Sequence, residues 1–382
     1  VTTTPIAPPD GTSVVTAAPT DHRGSWLPTL SLITTRMMEL RRRRGLMIAL
    51  LVVNIGIPAT FLIVRLVAHA VAPRSYGPAG GYSVFTGLVA VILYVFGFIV
   101  AAVVGCSAGS TDLTDGMFRH LVVTGRSRVA LYLARIPAGL AVVLPIVAAG
   151  FILVCAVCVF AAPTKDSYSG VTLPAGLTLS GFEQWAAAHP DEVLCNFGYS
   201  GNAAISMPSN CTGPGGSVQI KGSSPPTAAA LRASAIVFAQ QDYQSYSNTF
   251  LKPANSLMIA TGLWLLLEAT IGFVVGLGLS SLLGQRTIAV VLMIVLEIIL
   301  TPIFSRSRIP HLINFQRGFV GLAMAHIEPP ALPLVFGGDM NGGRPRGLQL
   351  VPESTEVAII VIVAWLVFWT VIGGWRMVTR DA

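Results

Sequence analysis

The chain has 382 residues, 53% of them hydrophobic and 11% charged, against about 25% charged in an ordinary soluble domain. At a mean hydropathy of +0.71 there is too little ionic surface to cover a water-facing globule of this size, which excludes a soluble enzyme and leaves an integral membrane protein. The net charge of +7 comes from 24 basic residues scattered over many loops, a pattern that orients a chain in a bilayer and excludes nucleic acid as a partner.

Residues 1–29, rich in Thr, Pro and Ala and without a hydrophobic period, are expected to form a disordered cytoplasmic tail. Leu30, Ile33, Met37 and Leu40 then recur at helical spacing, with Thr34, Arg36 and Glu39 between them. This reads either as a short helix on the inner membrane surface or as an extension of the first span. The run Arg41 to Arg44 ahead of an apolar stretch imitates a signal peptide, but the stretch exceeds the 7 to 15 or so residues of a signal core.

A lipid-crossing helix needs about 20 apolar residues. Six charge-poor runs reach or approach that length: Gly45 to Val64, Val84 to Val104, Ile136 to Ala162, Ser256 to Gly284, Thr287 to Phe304 and Val357 to Gly374. The expectation is an all-α polytopic membrane protein with six transmembrane helices. Placing both termini inside puts 13 of the 24 basic residues in the inner segments, at about three times the density of the other side, so the termini are expected to be cytoplasmic. Arginine outnumbers lysine 21 to 3, the codon balance of a GC-rich bacterium, and the expected location is its plasma membrane.

In the loop after the second span, residues 112–124 have helical faces of opposite character. Leu113, Met117, Phe118 and Leu121 form one, and Asp112, Asp115 and Arg119 the other. Thr111 or Asp112 can cap the start, and Gly125 can stop the helix in the left-handed region, before Arg126 and Arg128. Such a helix either floats on the membrane or docks in a partner's groove.

Residues 163–253, polar and rich in Gly, Ser and Pro, form an inserted small ectodomain in this topology, with Cys195 and Cys211 as a candidate disulfide. Cys106, Cys155 and Cys158, in or at the ends of spans, read as small buried hydrophobes and not as metal ligands. In the fourth span Gly272, Gly276 and Ser280 make a small-xxx-small face for close helix packing. Glu268 and Glu297 are the acidic residues within spans; a carboxylate facing lipid is costly, so each is expected to face the bundle interior. There it either binds the polar part of a substrate or is hydrogen-bonded to neighbouring helices. Residues 305–356 are external, and the apolar stretch Ile313 to Phe336 is broken by Arg317, Glu328, Pro329, Pro330 and Pro333. It reads as a re-entrant piece packed on the outer mouth of the bundle.

Several of these features occur together in a known order. Met38 to Arg44 precedes the first span, and Asp115-Gly116, the Gly125 to Arg128 turn and Arg135 follow the second. In this the chain resembles the permeases of ABC-2 type transporters, which also share six spans, cytoplasmic termini and a helical insertion before the last span. The long loop of residues 163–253 departs from that pattern. The resemblance implies the membrane subunit of a bacterial ABC exporter that moves an amphipathic or hydrophobic compound outward. It further implies a second permease, identical or not, and a cytoplasmic ATPase subunit docked on Asp112, Asp115, Gly116, Arg119, Gly125, Arg126 and Arg128. ATP and magnesium would bind that ATPase; no cofactor is expected in this chain, since Gly213 to Gly222 lacks the Gly-Lys-Ser/Thr ending of a phosphate loop. The reading from another class is a membrane-anchored receptor or assembly protein whose ectodomain binds a partner.

A bond between Cys195 and Cys211 would close a loop of about 15 residues and contribute about 2 to 4 kcal/mol locally. Non-reducing peptide mapping should recover the two cysteines in one linked species, and recovery of both as free thiols excludes the bond.

Overall fold

A computed structural model describes residues 27–72, 76, 79–114, 127–162, 177–197, 227–300, 303, 313–329 and 353–379. The described residues are helical, with no strand. In chain order the helices are α1 (Leu30–Arg42), α2 (Arg44–Val71), α3 (Tyr82–Ser110, helical on to Thr114), α4 (Arg128–Phe160), α5 (Leu179–Ala188) and α6 (Pro190–Phe197). They continue with α7 (Ala228–Phe250), α8 (Asn255–Leu283), α9 (Arg286–Ile294), α10 (Ile313–Arg317), α11 (Val320–His326) and α12 (Thr355–Thr379).

Among the described residues five helices, α2, α3, α4, α8 and α12, are long and apolar enough to cross a membrane, consistent with a multi-pass membrane protein. They cover five of the six expected runs. In the fifth run, Thr287 to Phe304, the nine-residue α9 passes into a six-residue π-helical segment, Val295–Leu300; beyond it only Ile303 of the run is among the described residues. Similar π segments interrupt α2 at Val52–Gly56 and α3 at Val89–Tyr94.

α1 is not an extension of the first span. At Arg43 the backbone leaves the helical region, with φ −77° and ψ 78°, and α1 folds against α4. Its contact face follows the apolar stripe at Met37 and Leu40, which pack on the core, but also buries Arg36, while Leu30 is 81% exposed. The ion pair from Arg36 to Glu39, at 2.7 Å, accompanies the buried guanidinium.

The centre of the bundle is the crossing of α3 and α8. A Cβ built on Gly276 would lie 2.5 Å from the Ala102 carbonyl, and one on Gly272 3.0 Å from that of Phe98. From the other side, a Cβ on Gly105 would strike the Phe273 carbonyl, and one on Gly109 the Ser280 hydroxyl and the Leu277 carbonyl. The small residues of α8 therefore mesh with a second set on α3, letting the two backbones touch. α8 ends where Gly284 turns left-handed at φ 72° and its N–H returns to the Ser280 carbonyl, a stop that only glycine adopts without strain.

The short helices α10 and α11 pack on the bundle. Trp264 Nε1 donates to the Met324 carbonyl at 3.1 Å and Trp365 Nε1 to the Gly318 carbonyl at 2.8 Å. Backbone groups that a short, interrupted helix leaves unsatisfied are thus met by tryptophans of α8 and α12.

Adding bulk at Gly276 has no flexible side chain to displace first, because the nearest opposing atom is the Ala102 backbone carbonyl oxygen at 2.5 Å. Gly276→Val should destabilise the protein by at least about 1 to 3 kcal/mol, read as a lowered unfolding temperature in detergent. Gly87→Ala, where a Cβ meets nothing within 4 Å, should be neutral or stabilise by up to about 1 kcal/mol.

Candidate functional site

Glu268 lies midway along α8 and is 2% exposed, turned into the bundle as the cost of a lipid-facing carboxylate requires. The side chains around it on α8 are small or apolar: Thr261, Trp264, Leu265, Ala269 and Gly272 are buried on the same helix. Trp264 stacks on Tyr94 of α3 at 5.1 Å between ring centroids, so an aromatic pair lies one turn from the carboxylate, toward the Asn255 end of α8. Glu297 falls in the π segment Val295–Leu300, and its side chain lies outside the described residues.

A second buried polar group was not singled out from the sequence. Asn54, in the π segment of α2, is 1% exposed, and its Nδ2 donates to the Leu50 carbonyl at 3.0 Å. That carbonyl is the one an unbroken α-helix would offer to Asn54's own N–H, so the side chain compensates for the altered helix at this turn. Its Oδ1 has no hydrogen-bond partner among the described residues. It faces Gly97 of α3, where a Cβ would sit 3.5 Å away, and a Cβ on Gly150 of α4 would strike the Asn54 carbonyl. The available signal was a lone Asn in an otherwise apolar run.

Of the expected ATPase-facing residues, Asp115, Gly116, Arg119, Gly125 and Arg126 lie outside the described residues. Asp112 is described in its backbone alone. That backbone corrects one expectation: the helix that begins at Val95 runs unbroken to Thr114, so neither Thr111 nor Asp112 caps the start of a separate helix. An N-cap must have non-helical backbone. On the far side of the loop, Ser127 caps α4 by accepting from the Ala130 N–H at 3.2 Å.

The first turns of α4 reach two other spans. Arg128 Nη1 donates to the Val378 carbonyl of α12 at 3.0 Å, and the Tyr132 hydroxyl to the Trp369 carbonyl at 3.4 Å. The buried Arg135 donates through Nη1 to the Gly109 carbonyl of α3 at 3.2 Å. Arg128 places its cation on a carbonyl in the C-terminal turn of α12, where the helix dipole favours it. Tyr132 was missed because a tyrosine at the edge of an apolar run carries no distinguishing spacing.

Gly272, Gly276 and Ser280 are packing residues, as their spacing suggested. Cys106 and Cys158 are buried within the apolar core and Cys155 is partly buried beside it. Cys211 and the side chain of Cys195 lie outside the described residues. Among the described residues no group of three or more His, Cys, Asp or Glu is placed to hold a metal ion.

Within residues 163–253, helices α5, α6 and α7 build a separate core of Phe182, Ala186, Val193, Leu194, Phe238 and Tyr246. Phe182 stacks on Tyr246 at 4.1 Å, and the Tyr243 hydroxyl donates to the Leu177 carbonyl at 3.0 Å. The unit joins the bundle where the Tyr82 N–H donates to the Leu251 carbonyl at 2.9 Å.

Comparison with protein-family models, curated proteins and solved structures finds no match to this chain.

Burial raises the pKa of the Tyr246 phenol above its ordinary 10.0; the Leu177 amide opposes the shift and Tyr243 adds to it. Its folded-state value exceeds the unfolded one, so the linked stability is complete below about pH 10 and is lost as pH rises toward the folded-state value. An alkaline titration followed by tyrosine absorbance should show this unit loosening above about pH 10, with the Tyr246→Phe variant shifted to higher pH. An unchanged midpoint in Tyr246→Phe would assign the transition elsewhere.

Proposed function

We propose that this chain is the permease subunit of an ATP-driven exporter of the ABC-2 class, moving an amphipathic or hydrophobic compound such as a drug, an antibiotic or a lipid. The observation that carries the reading is Glu268, a carboxylate buried midway along a helix of membrane length. Intramembrane acids that face a bundle interior mark substrate or ion paths, because a chain with no use for one is more stable without it. The order of motifs from Met38 to Arg135 supports the class.

In this reading six spans cross the plasma membrane of a GC-rich bacterium, the fifth running from α9 through Val295–Leu300, with both termini in the cytoplasm and residues 163–253 outside. A second permease, identical or different, completes the path. A separate ATPase subunit, holding ATP and magnesium, docks on the loop carrying Asp115, Gly116, Arg119, Gly125 and Arg126. The bonds from Arg128, Tyr132 and Arg135 to α12 and α3 then carry movement of that loop into the spans. Glu268, with Glu297, contacts the polar part of the cargo.

One observation favours a second reading. The helical unit α5–α7 has its own aromatic core, which suits a membrane-anchored receptor or assembly protein whose ectodomain binds a partner. The two readings separate on an ATPase: the exporter should co-purify with one, and the receptor should not.

Glu268→Gln keeps size and hydrogen-bonding capacity while removing charge, so the exporter reading expects normal expression with transport or substrate-stimulated ATP hydrolysis reduced by about tenfold or more, the scale of one lost charged contact. Reversing both charges at Asp115 and Arg119 should uncouple hydrolysis from transport without affecting insertion. Normal transport in the Gln variant across cationic and neutral substrates would leave Glu268 a packing residue.

A further inference from the structure

Between α4 and α8 lies a cleft of about 500 Å³ that the proposed transport function does not use. Its walls include Val147, Phe151 and Cys155 on α4, and Ile259, Gly262 and Leu266 on α8, with Asn255 at one end and no charged side chain. The volume falls within the range of about 300 to 1,000 Å³ seen for small-molecule sites.

Three features define what fits. The first is length: Val147 to Cys155 and Asn255 to Leu266 extend about 12 and 16 Å along their helices, half of the roughly 30 Å hydrocarbon core and therefore one leaflet. The second is direction. The rim residues Ile152, Ile259 and Leu263 are 64%, 65% and 64% exposed, and an apolar rim on helices of membrane length opens toward acyl chains, not water. The third is charge at the Asn255 end. α8 starts there with no side-chain cap at Ala254 and no acid in its first turn, and the exposed Lys252 precedes it. The uncapped N–H groups and the ammonium make that end positive.

An apolar slot one leaflet long, open to lipid and positive at its headgroup end, is complementary to a single kind of molecule. We infer that the α4–α8 cleft holds one acyl chain of an anionic membrane phospholipid, with its phosphate against Lys252 and the first turn of α8. In the orientation proposed above this is the outer leaflet, below the root of the α5–α7 unit; the cleft and its charge do not depend on that orientation or on transport.

The full chain is reconstituted in phosphatidylcholine vesicles containing a small fraction of either phosphatidylglycerol or phosphatidylcholine with a photoreactive acyl chain, and adducts are mapped by peptide mass. Adducts should concentrate on residues 147–155 and 255–266 over the exposed α12 face at Ile360 and Val363, and more with phosphatidylglycerol. Ala148→Trp, which fills the cleft from α4, should lower cleft adducts by about tenfold and leave α12 labelling unchanged; Leu263→Trp tests the same from α8 should the first variant fold poorly. Lys252→Glu should abolish the preference for the anionic lipid. Equal labelling of the cleft and α12, no headgroup preference, or cleft labelling unaffected by both tryptophans overturns the assignment. Adducts between two copies through the cleft would place a second chain there instead and likewise overturn it.

Discussion

The contact of backbone on backbone where α3 crosses α8 sets the arrangement of everything else in the bundle. Within a membrane, apolar side chains gain little by leaving lipid for each other, so helices associate through close packing and satisfied polar groups. Gly272 and Gly276 on α8 and Gly105 and Gly109 on α3 remove the side chains that would hold the axes apart. Interlocking from both sides fixes register as well as distance, since sliding by one residue would bring a Cβ against a carbonyl.

α8 carries that precision to its other neighbours. On another face, a Cβ on Gly278 would come within 2.5 Å of the Trp369 carbonyl of α12, and Gly373 of α12 abuts the Gly278 Cα and the Tyr132 ring. The Phe273 ring occupies the space that a side chain on Gly139 of α4 would need. With α3, α4 and α12 all drawn against it, α8 offers an enclosed setting for an acid, and Glu268 sits in it, 2% exposed. α2 and α12 are the least buried of the five long helices, and their outward residues, such as Ile63, Val64, Ile360 and Val371, meet the surroundings.

Polar groups then tie the ends together. Carbonyls that leave a helix end or a broken segment unsatisfied are costly in a medium without water. Here Arg128 and Arg135 supply donors at one end of the bundle, and Trp264 and Trp365 at α10 and α11. The π segments are the exception to regular geometry, and in α2 the Asn54 amide answers the altered turn locally. Such segments recur at functional positions in helices, and a span interrupted in this way can change its local winding at less cost than a regular one.

The sequence by itself determined the helical class, five of the long helices and the role of the small residues in the fourth apolar run. Each depends on periodicity, length and the energetics of lipid, which are local properties of a chain. It also determined that Glu268 must face inward, because the cost of charge in hydrocarbon does not depend on the details of packing. Tertiary structure alone decided that Gly105 and Gly109 of α3 answer the glycines of α8, that α1 buries Arg36 and leaves Leu30 exposed, and that Tyr132 reaches α12. Those outcomes depend on which faces meet. A helix of uniformly apolar composition, such as α4 or α8, offers no polar stripe from which a partner's position can be read. The cleft between α4 and α8 was invisible for the same reason: its walls are apolar residues like their neighbours, and only the separation of two helix axes makes them a cavity.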